Sequence, residues 1–408
     1  MKRLVTGTFT ALSLLAAASA CVAQDSPAEI YAKRLSILMG GGSLEKLYEP
    51  REKVAGAEQM ATLPAARPQD RSIRQEALDA ARAYAGESGA QAFIVWHDDR
   101  IQDETYFNGA AADTPLVSKS LSKPMTAMII GRALLMGHIR SLDQSVSDFI
   151  TEWKGTPKQA ILIRHLLDMR TGLLDQGFSA DPQSPWNLSY LAVDHENYIV
   201  NDYPLTQTPG SRYGYSNVTS ELVALVIERA TGRRYAEFVG TELLAPIGAP
   251  GGEVWVNRPG GLAHSGCCMM LPARSWLLMA RLLLDDGVAD GKRLLPEGYV
   301  RQMATATAEN PHYGLGVWVA GPYQERRGFG APGAPGPQVL HSAPYLDRDL
   351  FMFDGNSNQT VQISRAAGLI VLRMGPNPPK EVDWDNSRLP NLLLGGLNKP
   401  VTLAPQAQ

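Results

Sequence analysis

Residues 117–126 read VSKSLSKPMT and lead into an apolar run that continues to about residue 139. Pro124 suits the first turn of a helix, where its missing N–H has no partner to lose. The sequence therefore predicts a buried helix over 125–139. Ser120 and Lys123 are three residues apart and share one helix face. This spacing places an amine within reach of a hydroxyl at the start of the helix.

Such a pair has a direct chemical use. A serine hydroxyl is a weak nucleophile until a neighbouring base takes its proton. Lys123 can be that base only if burial or positive charge lowers its pKa from about 10.4, and the apolar helix supplies burial. Free N–H groups at the helix start favour a developing oxyanion at Ser120. The spacing alone also fits an N-cap serine beside a solvated lysine, and Ser43 and Lys46 repeat it in a polar region.

A second polar pattern lies further along the chain, where residues 209–217 read PGSRYGYSN before a predicted helix over 222–231. The Pro-Gly turn places Tyr215 on a loop between helices. A phenol beside a lysine ammonium loses its proton more easily and can act as the general base. Tyr106 stands in a similar Tyr-Phe-Asn triplet, but on a predicted strand upstream of Ser120. In isolation, Tyr215 fits a core or turn tyrosine better than a catalytic one.

The composition excludes several classes of protein. The chain has 408 residues, of which 44% are hydrophobic and 19% charged, with 38 Gly and 28 Pro. Such a composition excludes disorder and collagen, and the many turn residues disfavour helical fibres. The length favours two subdomains. A formal charge of −3 provides no basic surface, so we expect no nucleic-acid partner.

The N-terminus predicts export. Lys2 and Arg3 precede an apolar run that ends in the small residues 18–20, which is typical of a secretory signal over residues 1–23. The run is shorter than the ~20 residues of a spanning helix, so no transmembrane anchor is expected. We predict a periplasmic or secreted protein. It would contact a membrane only if lipidated at Cys21, because residues 18–21 resemble a bacterial lipoprotein box.

The remaining cysteines and the histidines suggest no cofactor chemistry. Cys267 and Cys268 are adjacent and could form only a strained vicinal disulfide, so we predict two buried thiols. The seven histidines are scattered, and neither a CxxC pair nor an HExxH motif occurs. No metal and no cofactor are therefore expected. We assign His165 a structural role, because no GxSxG elbow that would accompany a Ser-His-Asp triad is found.

Strand and helix patterns alternate along the chain. Strand-like runs occur early and again late, with helical segments between, which favours a sheet built from both chain ends with an inserted helical domain. The segment from 328 to 337 is predicted to be a plain surface loop, and the alternative is that it shapes the rim of the cleft. The predicted divisions are an extended leader with at most one short helix (24–75), an α/β domain (76–150 and 256–400) and a helical domain (151–255). The predicted strands are 92–96, 101–107, 314–320, 359–363 and 369–374, and further helices are 73–84, 236–244 and 275–284.

Together these stretches resemble the serine beta-lactamase-related family, which includes class C beta-lactamases, D,D-peptidases, bacterial esterases and 6-aminohexanoate-dimer hydrolase. The resemblance runs from about residue 92 to residue 375. It implies an α+β fold with an antiparallel sheet flanked by helices and an inserted all-helical domain. It also implies a nucleophile at Ser120, a lysine partner at Lys123 and a tyrosine at Tyr215. The motifs that carry it are VSKSLSKPMT, IRHLLDMRTG (163–172), YGYSN (213–217) and GKRLLPE (291–297).

One segment differs from its counterpart in the family members that act on beta-lactams, which usually carry a Lys-Thr-Gly or His-x-Gly triplet on the strand beside the nucleophile. This chain has FDGNSNQ at 353–359 instead, similar to the Gly-rich segment of the aminohexanoate-dimer hydrolase branch. By analogy, the backbone N–H of Asn356 would join that of Ser120 in an oxyanion hole. Ser357 and Asn358 replace the glycines expected there, and an ordinary strand-entry turn is the alternative.

The sequence thus predicts an exported serine hydrolase that cleaves a small-molecule amide or ester through an acyl-enzyme on Ser120, closest to the 6-aminohexanoate-dimer hydrolase and esterase branch. One alternative is a D,D-peptidase or class C-type beta-lactamase. Another is a non-catalytic protein that binds cell-wall fragments in the same cleft.

Overall fold

The computed structural model describes residues 25–41, 44–177 and 179–403, which form helices and antiparallel strands. The α+β class is therefore confirmed. The strands are β1 (Arg51–Val54), β2 (Ala92–His97), β3 (Arg100–Tyr106), β4 (Leu116–Val117), β5 (Gly252–Trp255), β6 (Met269–Leu271), β7 (Val288–Ala289), β8 (Lys292–Arg293), β9 (Trp318–Val319), β10 (Arg326–Gly328), β11 (Gln338–Leu340), β12 (Phe351–Gly355), β13 (Gln359–Ser364) and β14 (Leu369–Met374). The α-helices are α1 (Pro27–Ser36), α2 (Gln75–Glu87), α3 (Ser122–Leu135), α4 (Ile163–Leu167), α5 (Pro185–Leu191), α6 (His195–Asn201), α7 (Asn217–Thr231), α8 (Tyr235–Val239), α9 (Ala273–Leu284), α10 (Tyr299–Met303) and α11 (Arg388–Gly395).

The central sheet has six antiparallel strands in the order β3-β2-β14-β13-β12-β9. Strands from both ends of the chain form it, because β2 pairs with β14, as the sequence predicted. Successive side chains of a strand point to opposite faces. Phe93 and Val95 join the hydrophobic cluster that contains α2 and α11, whereas Ile94 and Trp96 join the cluster that contains α3 and α9. Helices thus cover both faces of the sheet.

A second sheet, in the order β1-β5-β6-β4, positions the start of α3. Its strand β4 pairs with β6 and leads through a 3₁₀ turn at Lys119–Leu121 into α3. Helices α4 to α8 lie in the chain between α3 and β5, and side chains of α3, α4 and α7 share one buried core. Helices α4 to α8 thus fall within the predicted helical segment 151–255, which also contains the strand β5 at its end. Its boundaries as a separate domain stay a prediction.

Two predicted elements are shorter in the structure. The helix expected over 125–139 begins earlier, at Ser122, and ends at Leu135, because Gly137 adopts a φ of +80° that closes its last turn. The strand expected over 314–320 is reduced to β9. Gly316 has a φ of +73°, and a Cβ there would lie 2.8 Å from the Lys123 carbonyl oxygen. The chain turns at this glycine to pass α3 and pairs only afterwards.

The predicted extended leader is more structured than expected. Besides α1 it contains β1, which pairs along its whole length with β5. Arg34 of α1 is buried, and its guanidinium donates hydrogen bonds to the carbonyl oxygens of three residues distant in the chain, Glu49, Leu191 and Asn257. The packing depends on partners from β5 and α5, which local sequence patterns do not show.

The predicted signal segment at 1–23, with Cys21, lies outside the described residues, as does Ser43. Across the described ranges, none of the helices has both the length and the apolar character needed to cross a bilayer.

Candidate active site

Ser120 lies in the 3₁₀ turn between β4 and α3. The turn is fixed to β6, because Ser118 exchanges hydrogen bonds with Met269: the Ser118 N–H donates to the Met269 carbonyl, and the Met269 N–H donates to Ser118 Oγ. Lys119 has a φ of 51°, an uncommon conformation for a residue with a side chain. The backbone thus turns sharply just before Ser120, and its hydroxyl borders a cavity.

Lys123 lies one helical turn later and is only 2% exposed. Its Nζ lies 3.2 Å from Ser120 Oγ, and it also donates to Asn217 Oδ1 at 2.7 Å and to the Gly266 carbonyl at 2.8 Å. Burial lowers the pKa of Lys123 to about 7, against the opposing effect of the nearby Glu221 carboxyl. A substantial fraction of this amine is therefore neutral near pH 7.

Tyr215 completes the cluster from the loop before α7. Its ring lies 4.8 Å from Lys123 Nζ, and its hydroxyl interacts with the Ser120 side chain. Burial raises the pKa of Tyr215 well above 10, which outweighs the lowering by that interaction. The phenol is therefore protonated at neutral pH. The expectation that Tyr215 loses its proton more easily beside the lysine is wrong, because burial dominates, and Lys123 is the better base.

Asn217 ends the YGYSN motif, and the sequence predicted no role of its own for it. The structure places this residue at the start of α7, with its side chain on Lys123 Nζ. Its backbone N–H donates to Gln176 Oε1. The triplet Tyr215-Ser216-Asn217 thus supplies two contacts to the lysine, since residues two apart in an extended loop point the same way.

Asn356 follows β12 and borders the same cavity as Ser120. Ser357 and Asn358 have φ values of 71° and 55°, so they adopt the left-handed conformation that the expected glycines would favour. Gln359 ties this hairpin to the nucleophile turn, because its Nε2 donates to the carbonyl oxygens of residues 117 and 118. The position of Asn356 is compatible with an oxyanion hole, and its role there stays a prediction.

The cavity beside Ser120 has a volume of about 390 Å³. Aromatic rings of Tyr215, Trp318 and Phe329 line it, and Tyr215 packs against both of the other rings. The prediction of a plain surface loop at 328–337 is wrong, because Gly328, Phe329 and Pro337 form part of the cavity wall. Strands β10 and β11 pair and hold this segment against the site.

Charged groups that the sequence did not indicate also border the cavity. Arg327 is 8% exposed, and its Nη1 donates to the Val319 carbonyl. Asp354 accepts a hydrogen bond from Asn386 Nδ2, and burial raises its pKa to about 6, while Arg327 acts in the opposite direction. A cation is thus present in the cavity, although it comes from β10 and not from a Lys-Thr-Gly strand.

Two other residues discussed from the sequence, Tyr106 and His165, lie away from this cluster. Tyr106 is on β3, and its hydroxyl donates to Glu104. His165 lies in α4, where its Nδ1 accepts the N–H of Leu162 at the helix start, consistent with the structural role predicted for it.

Cys267 and Cys268 form a disulfide, so the prediction of two buried thiols is wrong. Cys268 has a φ of 64°, which turns the backbone sharply between the two residues and lets the adjacent side chains meet. The hydroxyl of Tyr190 lies 3.6 and 3.5 Å from the two sulfur atoms. The pair directly follows Gly266, whose carbonyl accepts a hydrogen bond from Lys123.

Comparison with known proteins identifies the class to which this fold and site belong. Residues 79–385 match the model of the Beta-lactamase family, and the chain therefore belongs to this family, as the sequence predicted. A candidate 6-aminohexanoate-dimer hydrolase from Bacillus anthracis superposes with a TM-score of 0.67 at 21% identity, covering 89% of this chain and 93% of that one. A class C beta-lactamase from Rhodobacter sphaeroides superposes with a TM-score of 0.56 at 18% identity, over 79% and 99%. The beta-lactamase-like fold is confirmed.

Among curated proteins, the chain is 26% identical to 6-aminohexanoate-dimer hydrolase from Paenarthrobacter ureafaciens over 232 residues. It is 30% identical to penicillin-binding protein 4* from Bacillus subtilis (strain 168) over 148 residues, which are 34% of this chain. The stretch matched by the Paenarthrobacter hydrolase is 53% of this chain. The chain spans 57% of the hydrolase and 30% of the penicillin-binding protein.

Proposed function

We propose that this chain is an exported serine hydrolase that cleaves an amide or ester bond through an acyl-enzyme on Ser120, as in the 6-aminohexanoate-dimer hydrolase branch. The contact between Lys123 Nζ and Ser120 Oγ at 3.2 Å, buried at the edge of a cavity, carries this proposal. Similarity to the Paenarthrobacter hydrolase supports the same class of reaction.

Lys123 acts as the base in the first step. A neutral amine has two N–H donors and one lone pair, and three groups surround Nζ. The Asn217 and Gly266 oxygens take the two donors, which leaves the lone pair for the Ser120 O–H. Because the pKa of Lys123 is about 7, the neutral form is available at physiological pH. It accepts the hydroxyl proton as Ser120 Oγ bonds to the substrate carbonyl carbon.

Tyr215 returns the proton to the leaving group. Its protonated hydroxyl contacts Ser120, and its ring lies beside Lys123. As the carbonyl–leaving group bond breaks, the phenol donates to the departing nitrogen or oxygen and takes the proton held by Lys123. The backbone N–H groups of Ser120 and Asn356 would stabilise the oxyanion. Water then attacks the acyl-enzyme by the same route, and Ser120 regains its proton.

The cavity favours an extended substrate that carries a charge. Aromatic rings provide apolar contact surface, and Arg327 offers a guanidinium that can bind a carboxylate. A linear amide with a terminal carboxylate fits these features. The absence of the Lys-Thr-Gly triplet disfavours the D,D-peptidase and beta-lactamase alternative, and the presence of Ser120, Lys123 and Tyr215 together disfavours a purely binding protein.

Substitution of Ser120 by alanine tests the proposal. We expect Ser120→Ala to abolish turnover of p-nitrophenyl esters and labelling by a fluorophosphonate. Ser122→Ala is the matched control, because Ser122 is on the same helix turn and its hydroxyl bonds only to the Lys119 carbonyl among the described residues. It should keep both activities. Full labelling of Ser120→Ala would refute the assignment of the nucleophile.

A substrate panel separates the alternatives. Purified protein is tested with p-nitrophenyl esters, linear amide oligomers and nitrocefin. Turnover of esters or amides without nitrocefin hydrolysis supports the proposal, fast nitrocefin hydrolysis favours the beta-lactamase alternative, and no turnover at all favours the binding protein. Export is tested by cell fractionation of the full chain, and lipidation by incorporation of labelled palmitate that Cys21→Ala removes.

A further inference from the structure

Three buried side chains that the proposed reaction does not use meet behind Lys123. They are His195 at the start of α6, Glu221 in α7 and His264 after β5, and each is at most 1% exposed. One donor atom from each lies within 4.8 Å of the other two. His264 Nδ1 is 3.6 Å from Glu221 Oε1, and the two imidazole rings stack with centroids 4.3 Å apart.

These side chains lack the partners that buried polar groups normally have. Within the described part of the chain, none of the four imidazole nitrogens and neither Glu221 oxygen makes a hydrogen bond of normal geometry. The backbone N–H groups of Gly266 and Ser265 approach the Glu221 carboxyl and lower its pKa, but without the geometry of a full hydrogen bond. Buried polar atoms are almost always paired. Because these unpaired atoms lie close together, one bound ion could supply the partner that they lack.

The chemistry of the three side chains favours a cation there. A neutral imidazole keeps one ring nitrogen with a free lone pair, and Glu221 supplies carboxylate oxygens. Two imidazoles and one carboxylate are ligands that zinc and related ions bind. A bound dication would also compensate the charge of the buried carboxylate.

We propose that His195, Glu221 and His264 form a buried site for a divalent transition-metal ion of the zinc class. Metal–ligand bonds of about 2.0–2.1 Å in a tetrahedron hold ligand atoms roughly 3.3 Å apart, so modest rotations of these side chains close the site. The ion links α6, α7 and the segment that leads to Gly266. It thereby fixes the backbone carbonyl that contacts Lys123 Nζ.

Cobalt substitution tests this site without relying on catalysis. The full-length protein is stripped with a chelator, loaded with Co²⁺ and dialysed. We expect one retained equivalent, visible d–d absorption of a low-coordinate ion and a higher thermal midpoint. Glu221→Gln and His264→Gln should each weaken binding at least about tenfold. His138→Gln is the control, because His138 packs on Phe238 away from this cluster, and it should bind as the unmodified protein does.

Two results would overturn the site: an unmodified protein that retains no metal, or Glu221→Gln and His264→Gln variants that retain as much as the control. Should a histidine variant fail to fold by circular dichroism, the cobalt spectrum and stoichiometry of the unmodified protein decide. Ser120→Ala should bind the ion normally, so failure of the proposed reaction and failure of this site are distinguishable.

Discussion

Asn217 is the position from which the pKa of Lys123 can be changed by a small substitution, because Asn217 Oδ1 lies 2.7 Å from Lys123 Nζ. Asn217→Asp keeps the size of the side chain and replaces the amide by a carboxylate. With about 4 Å between the charge centres and an effective dielectric constant near 20, the new anion stabilises the ammonium by about 4 kcal/mol. Since one pKa unit corresponds to about 1.4 kcal/mol, the pKa of Lys123 should rise by about three units.

The sign of the effect on activity follows from the role of the lysine. The neutral amine is the active base, so kcat/KM falls as pH drops through the pKa of Lys123. In the unmodified protein the midpoint of this fall in kcat/KM should lie at about pH 7. In Asn217→Asp it should move to about 10, and activity at pH 7 should fall by roughly 10²–10³-fold because so little of the amine is neutral. Activity should recover steeply as the pH is raised.

The assay is the pH dependence of kcat/KM for a neutral p-nitrophenyl ester between pH 5 and about 10. Asn201→Asp is the control, because Asn201 is an exposed residue of α6 whose amide contacts only Asn197 among the described residues. Its profile should match that of the unmodified protein. A folded Asn217→Asp protein whose activity is reduced equally at every pH would refute the assignment of Lys123 as base.

Three further changes test other parts of the site. Tyr215→Phe keeps the packed ring but removes the hydroxyl that contacts Ser120. We therefore expect kcat to fall by about 10²–10³-fold while the thermal midpoint stays the same. An unaltered kcat would exclude the proton relay through Tyr215. Arg327→Gln should raise KM about tenfold for amides that carry a carboxylate and leave KM for neutral esters unchanged, as measured by steady-state kinetics. An equal rise in KM for both kinds of substrate would contradict carboxylate binding by Arg327. Gly355→Ala would place a Cβ 3.0 Å from the Leu121 nitrogen, so urea unfolding should show a loss of about 1–3 kcal/mol, and an unchanged midpoint would argue against close packing there.

Local spacing was enough to predict part of the site. Ser120 and Lys123 meet because residues three apart on a helix share a face, and that geometry does not depend on the rest of the fold. The family resemblance then supplied Tyr215 from another segment. The pKa of Tyr215 could not be predicted in the same way, because it depends on how completely neighbouring rings bury the phenol.

Other contacts come from elements far apart in the chain, and no local pattern marks them. His195, Glu221 and His264 belong to three different segments, so no spacing motif in the sequence indicates that they meet. Arg327 reaches the cavity only because β10 and β11 pair and turn toward it. The sequence predicted four strands of the central sheet, β2, β3, β13 and β14, but missed β12 in the same sheet. It also missed β1, whose four residues form a strand only by pairing with β5.

The segment before the family match contributes to the nucleophile turn. Lys119, in its left-handed conformation just before Ser120, donates a hydrogen bond to the Tyr48 hydroxyl. Tyr48 in turn packs edge-on against Trp255 of β5. Because a side chain in that conformation persists only when its surroundings hold it, the leader supplies a restraint that residues 79–385 alone would lack. The backbone conformation just before Ser120 therefore depends on both segments of the chain.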